Sequence, residues 1–240
     1  MSTLLAAHTS CCRAKESCLD CKVRLVSICA ALDSQELCAL EALAEQSIFA
    51  PKETLFLQDH PAHAVYNVTE GVVRLYKLLP DGRRQIVGFA LPGDFLGLAM
   101  ADQYGVCADA VELVTACRFS RVAFSGLLDE KPHLLRRLHE FATHELTLAQ
   151  DQMVVLGRRT ADEKIATFLI GLRNRWARLS RASVTIQLPM NRQDIADFLG
   201  LTIETVSRTL SRFARERAIL IVPDGVRLLD PERMEQLAEV

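Results

Sequence analysis

The first ten residues of this 240-residue chain lack a charged start, and they lack any apolar run long enough for secretion or membrane spanning. That absence points to a reducing cytoplasm and to no membrane partner. In such a compartment eight cysteines are better read as metal-binding or redox-active than as cross-linked. Also missing are a Ser-His-Asp set, a nucleotide-binding loop and paired catalytic carboxylates, so nothing points to an enzyme. Strong net charge is absent too, at −2, but the balance is uneven: residues 157–217 carry +6 and the remainder −8. A basic module on an acidic protein fits either a polyanion-binding region or a solvated helix face. Half of the residues are apolar, ample for a core, and the length exceeds one average domain, so two domains are expected.

What the chain does have is a run of thiols near its start. Cys18, Cys21 and Cys29 follow the spacing C-x2-C-x7-C. A C-x2-C pair lets one turn of backbone aim two sulfurs at a common centre, and a third sulfur can close round the same point, which suits a soft metal centre. Zinc sites and cubane iron-sulfur clusters usually take four ligands, and no fourth Cys or His follows within the next few residues. The missing ligand must come from elsewhere, and Cys107 and Cys117 are both candidates. Cys38 reads as a small buried or half-buried residue of a helix. His60 and His63 flank Pro61 in a turn-like stretch and read as exposed turn histidines.

Asp33 and Glu36 form a capping box for a short amphipathic helix to about residue 45. Over 47–119 the texture changes to short β-rich runs, among them 54–57, 72–78, 85–90 and 116–119, separated by Pro-Asp-Gly and Pro-Gly-Asp turns. Many short strands of this kind imply an antiparallel barrel or sandwich. Ser120 is placed to cap a further short helix. Pro132 then opens a long helix reaching about residue 157. Leu135, Leu138, Ala142, Leu146, Ala149, Met153 and Leu156 form one apolar stripe on it, and Leu134, Phe141, Leu148 and Val155 another. One stripe can pack on its own domain; the other is supplied most simply by a second copy. Thr160 and Glu163 cap the next helix, which carries Trp176, the sole Trp.

Residues 191–202 read as a capped two-turn helix, a turn at Gly200 and a new N-cap at Thr202, with a second helix over 203–215. Two short helices about a Gly turn, with Ile195, Ala196, Leu199, Val206 and Leu210 facing one another, are the pattern of a helix-turn-helix whose second helix enters the major groove. On that helix Glu204, Ser207 and Arg208 stand at i, i+3 and i+4 and share a face. Arg can donate to guanine O6 and N7, Glu can accept from cytosine N4, and Ser can contact base or backbone. Arg212 and Arg215 are better placed for phosphates. With Thr202 and Thr205 these residues make the candidate DNA-binding set. A hairpin over 219–229 then reads as a wing, and a short closing helix follows Pro231.

The order of β-roll, long helix and winged helix-turn-helix resembles the CRP/FNR superfamily of bacterial transcription regulators over nearly the whole chain. Leu199-Gly200-Leu201-Thr202-Ile203-Glu204-Thr205-Val206-Ser207-Arg208 is similar to the recognition segment of its fumarate and nitrate reduction branch. Glu204, Ser207 and Arg208 match that branch's E-x-x-S-R motif, which implies a TTGAT-N4-ATCAA-type palindrome. Cyclic-AMP receptors of the superfamily hold the cyclic phosphate with a Gly-Glu turn and an Arg-Ser pair. Here Gly93-Asp94 keeps the turn with Asp, no Arg stands in 107–110, and Asp94 and Asp109 lack a fixed cation, so no cyclic nucleotide is expected. The oxygen-sensing branch binds a [4Fe-4S] cluster through three N-terminal Cys and one from the β-roll. The resemblance makes Cys18, Cys21 and Cys29 the first three, with the spacing of alphaproteobacterial members, and Cys117 the fourth. Cys11 and Cys12 have no counterpart and are read as part of a loose N-terminal segment. The two residues by which the spacer exceeds the enteric C-x2-C-x5-C are expected to loop out.

The chain is therefore expected to be an α+β protein. Residues 1–32 form a cysteine-rich cluster-binding segment, 33–131 an antiparallel β-roll sensor domain of the cyclic-nucleotide-binding type, 132–158 a dimerisation helix, and 159–240 a winged helix-turn-helix. The implied function is that of an oxygen-responsive regulator, active as a homodimer on double-stranded DNA with RNA polymerase as a further partner. The rival expectation is a regulator of the same kind with structural or zinc-bound thiols and a different effector.

Overall fold

A computed structural model describes residues 18–98, 102–179 and 184–239. Cys11 and Cys12 lie outside the described residues. The thiol-bearing segment runs through two 3₁₀ turns, Arg24–Val26 and Ile28–Ala31. Helix α1 (Ser34–Leu43) follows, with both halves of the Asp33/Glu36 capping box in place. It stops two residues short of the expected end because Ala44 already pairs across to Phe119.

The roll comprises β1 (Ala44–Phe49), β2 (Thr54–Phe56), β3 (Ala64–Glu70), β4 (Val73–Leu78), β5 (Arg84–Ala90), β6 (Phe95–Leu96), β7 (Cys107–Ala110) and β8 (Val114–Ser120). They form two four-stranded sheets, ordered β1-β8-β3-β6 and β2-β7-β4-β5, with every pairing antiparallel. Successive side chains on a strand point to opposite faces, and this alternation divides the roll's residues into three environments. Ala64, Tyr66 and Val68 of β3 join Val114 and Ala116 of β8 in the core between the sheets. Val65 of β3 and Phe119 of β8 turn to the outer side, against Ile28, Leu37, Phe124 and Leu134. The outer side of the second sheet, through Tyr76, Ile86, Phe89 and Cys107, packs into one apolar cluster with Phe168, Trp176, Ile195 and Leu199 of the C-terminal region.

Helices α2 (Arg121–Glu130), α3 (Pro132–Arg158) and α4 (Ala161–Arg178) carry the chain from the roll to the C-terminal region. Ser120 occupies the N-cap of α2 but makes no side-chain capping bond, whereas Thr160 and Glu163 complete theirs on α4. Of the two stripes on α3, Leu134 and Val155 are buried and Phe141 packs against the N-terminal cluster. Leu135, Leu146 and Met153 of the other are 43%, 59% and 64% exposed; Leu138 of that stripe packs on the N-terminal cluster and Leu156 is half-buried, so within one chain most but not all of it is left open. Beyond α4 come β9 (Thr185–Gln187), α5 (Arg192–Leu199), α6 (Ile203–Arg215), β10 (Ile219–Val222), β11 (Gly225–Leu228) and α7 (Pro231–Glu239). Gly200 closes α5 in the left-handed region at φ 60°, a conformation Gly adopts without the steric cost of a Cβ. The wing is the antiparallel sheet β10-β11-β9.

Candidate functional site

The alternation in β8 decides which thiol can join the N-terminal three. Cys117 stands one residue from Ala116 and two from Phe119, so it faces outward with Phe119, under the segment that carries Cys29. Cys107 is on the second sheet. It is 1% exposed, its sulfur accepts from the Gln58 N–H at 3.3 Å, and it packs toward the C-terminal region. Of the two candidates left open by spacing, the fold brings Cys117 to Cys18, Cys21 and Cys29 and keeps Cys107 away.

Cys18, Cys29 and Cys117 each feel neighbouring thiols electrostatically. Burial pushes the Cys18 thiol up to about 12, and the Glu41 carboxylate and the other three cysteines add to the effect. Burial likewise raises Cys117 to about 12, followed by Cys21, Cys29 and Glu41. Cys29 is raised by burial, opposed by the Ser27 hydroxyl that its own N–H approaches at 3.2 Å. Each anion here makes the next costlier, which is the electrostatics of a pocket that favours a cation. Among the described residues, no group of three or more His, Cys, Asp or Glu stands in an arrangement that would hold a metal ion. The thiols are gathered without being closed round one point.

Three neighbours of this site escaped the sequence reading. Glu41 of α1 accepts the Cys18 N–H at 3.2 Å. Ser27 is fully buried. Asn67 of β3, 2% exposed, points its amide nitrogen at the Cys29 sulfur, 3.9 Å away. A lone amide in the apolar run Ala64-Val65-Tyr66-Asn67-Val68 was the available signal. The spacer does not loop out as expected. It is wound into 3₁₀ turns and seated on the roll, with Val26 against Gly93; a Cβ at Gly93 would lie 2.8 Å from Val26 Cγ2. His60 and His63 are exposed, as turn residues should be.

Neither Asp94 nor Asp109 is without a cation, contrary to the expectation. Arg175 of α4 pairs with Asp94 and donates to Phe89 O at 2.7 Å, and Arg74 of β4 pairs with Asp109 at 3.3 Å. Both cations arrive from sequence-distant positions, so local spacing could not show them.

At the other end of the molecule, α6 buries Val206, Leu210 and Phe213 and turns Glu204 and Arg208 outward, with Ser207 half-buried beside them. Thr202 caps the helix by accepting the Thr205 N–H at 3.2 Å. Helix N-terminal backbone bonding, then the Thr202 hydroxyl and Arg208, hold the Glu204 carboxyl below its usual range, so it stays an acceptor. Arg192, at the start of α5, donates to Ser207 Oγ at 3.1 Å. Arg212 is paired with Asp162 of α4, which ties the recognition helix to its own domain. Arg192 and Asp162 were missed because each reaches its partner across a helix-helix contact.

Helix α5 is also bound to the roll. Asp194, 1% exposed, receives Arg74 at 3.1 Å and Arg84 at 2.6 Å, and Arg84 continues to Asp197 at 2.7 Å. The Gln85 side-chain amide adds a hydrogen bond to Asp197 O at 2.6 Å. This ladder, with Phe89 against Phe198 at 5.5 Å, joins the β-roll to the first helix of the helix-turn-helix.

Comparison with known proteins gives this arrangement a family. Residues 163–237 match the Crp-like helix-turn-helix domain and residues 46–131 the cyclic nucleotide-binding domain. The chain is 53% identical over 234 residues to the transcriptional activatory protein AadR of Rhodopseudomonas palustris, covering 98% of each. It is 53% identical to the nitrogen fixation regulation protein FixK of Bradyrhizobium diazoefficiens, covering 92% of this chain and 93% of that one. Among solved structures, FixK2 from Bradyrhizobium japonicum superposes with a TM-score of 0.76 at 36% identity, over 81% of this chain and 96% of that one. The β-roll, long helix and winged helix-turn-helix described above are thus those of a transcription regulator, and the chain belongs to the FNR and FixK branch of the CRP/FNR family.

Proposed function

We propose that this regulator is an oxygen-responsive activator of genes used when oxygen is scarce, with Cys18, Cys21, Cys29 and Cys117 as ligands of a [4Fe-4S] cluster. The observation that carries the reading is the meeting of Cys117, from β8, with Cys18 and Cys29 of the sequence-distant N-terminal segment in one cluster, with Cys21 beside them. When bound, the cluster supplies an oxygen-labile cation that stabilises all four sulfurs as thiolates. Four thiolates held together tie the segment over 18–32 to β8. Once they are released, the segment is held only by packing such as Ile28 and Leu32 in the core and Val26 on Gly93. The second 3₁₀ turn packs directly on α3, so ordering of the segment bears on the helix whose exposed stripe takes a second copy. A homodimer then presents two copies of α6 to half-sites one helical turn apart, for which a TTGAT-N4-ATCAA-type palindrome suits Glu204, Ser207 and Arg208. A bias of a few kcal/mol on dimerisation suffices, since about 1.4 kcal/mol is tenfold.

Cyclic nucleotide has no part in this reading, because Arg175 and Arg74 are already paired with carboxylates where a phosphate would need a spare cation. No helix among the described residues is long and apolar enough to cross a membrane, consistent with a cytoplasmic regulator that meets DNA and RNA polymerase. A zinc-bound thiol set is the alternative. Purification without oxygen separates the two. Iron and sulfide with broad visible absorption that bleaches in air, accompanied by a fall in molecular mass, is the expected result. Zinc at one per chain, unchanged by air, would defeat the cluster reading.

A further inference from the structure

Among the described residues Asn67 is the one amide side chain buried at the thiol site, and the only bond its side chain makes there is a long one to the Cys29 sulfur. Its strand is otherwise apolar at Ala64, Val65, Tyr66 and Val68, all buried. In register it stands directly opposite Cys117 on β8 and opposite Phe95 on β6, so its side chain shares the outer face with the thiol. The amide nitrogen lies 3.9 Å from the Cys29 sulfur, a long contact to a neutral thiol, and the Oδ1 atom is buried with no hydrogen-bond partner. Turning the amide over would only exchange which end goes unsatisfied. An amide left this way costs the fold stability that a leucine of similar size would not. By contrast Gln46, which faces Cys117 from the other neighbouring strand, is exposed to solvent.

Resting on the cluster reading above, we infer that Asn67 is a positioning residue for the cluster: its amide N–H groups hold the Cys29 sulfur, and the neighbouring Cys117 sulfur, in their ligating state. An anionic sulfur is a far better acceptor than a thiol, so the bond tightens when the site is loaded. Hydrogen bonds to ligating sulfurs also withdraw charge from them, which raises the reduction potential of the centre and slows its oxidation. Asn67 thereby trades stability of the empty protein for retention of the loaded one.

The test uses the full-length protein reconstituted anaerobically with ferrous iron and sulfide, comparing wild type with Asn67→Leu and Asn67→Asp. Asn67→Leu should raise the melting temperature of the metal-free protein while lowering iron retention against a chelator by about 10- to 100-fold, the usual range for loss of a partner to a metal ligand. Its visible absorption should bleach faster in air. Asn67→Asp, equal in shape but an acceptor with negative charge, should lose iron at least as readily. A purely structural role predicts the opposite for leucine, with both properties falling together. If wild type carries iron and Asn67→Leu matches it in retention and bleaching, the role assigned to Asn67 is wrong while the cluster reading stands. If wild type itself takes up no iron, both fall.

Discussion

Replacing Arg74 by methionine tests how firmly the β-roll grips the DNA-reading domain. Arg74 is 13% exposed and sits between Asp109 of the roll, at 3.3 Å, and Asp194 of α5, at 3.1 Å, themselves 10% and 1% exposed. Methionine fills much of the same volume, so the loss is chiefly electrostatic. Removing one partner of a buried ion pair typically costs 3–5 kcal/mol, because the other charge is left without compensation. Two features place this case at the low end. Arg84 remains on Asp194 at 2.6 Å, and the Thr54 hydroxyl remains on Asp109 at 2.9 Å. The expected loss is therefore about 3 kcal/mol, or about 6–12 °C in melting temperature for a chain of this size. Trp176 makes the assay selective. It is the only Trp, lies in α4 at 6% exposure and donates to Gln187 O at 3.2 Å, so its fluorescence in a urea titration reports the C-terminal domain. Circular dichroism reports both domains. In wild type the two signals should fall together; in Arg74→Met they should separate, with the tryptophan transition leading. A loss under about 1 kcal/mol, or a double-mutant cycle of Arg74→Met with Asp194→Asn showing no coupling, would refute a gripping role for the ladder.

Two further outcomes follow from the sites described. Arg208→Ala should weaken binding to a TTGAT-type site by roughly 1–3 kcal/mol and relax discrimination at its guanine, read by gel shift against a site altered at that base; equal binding to both sites by wild type would show that Arg208 reads no base. Gly93→Ala should lift the thiol segment from the roll, since Gly93 has φ +98° and its added Cβ would press on Val26 at 2.8 Å. On the cluster reading proposed above, iron uptake per chain should drop while the roll's circular dichroism is kept, and iron undiminished from the wild-type level would mean that Val26 does not help to hold the segment.

Local features of this fold were legible because they are written within a few residues of one another. The capping boxes at Asp33/Glu36 and Thr160/Glu163, the turn at Gly200 and the cap at Thr202 all appear where spacing put them. The same holds for the buried face shared by Ile195, Leu199, Val206 and Leu210. The fourth thiol was not legible from residues alone. Alternation along a strand divides its side chains between two faces but does not say which face meets what. Cys107 and Cys117 both pass that test, and only the stacking of one sheet under the N-terminal segment and the other under the C-terminal domain tells them apart.

The ion pairs that join the two halves were illegible for a further physical reason. Asp194 satisfies a local rule completely, since it completes the capping box of α5 with Asn191, accepting from the Asn191 N–H while its own N–H goes to Asn191 Oδ1 at 2.9 Å. A carboxylate with so complete a local explanation invites no search for another partner. Yet one of its oxygens caps while the other takes two guanidiniums from more than a hundred residues away. A carboxylate has about four lone-pair sites, so both duties fit on one side chain. The consequence is that the helix which sets the angle of α6 is anchored at its first turn by the roll. Movement of the strands that carry Arg74 and Arg84 must strain the cap of α5, break the pairs, or carry the recognition helix with them.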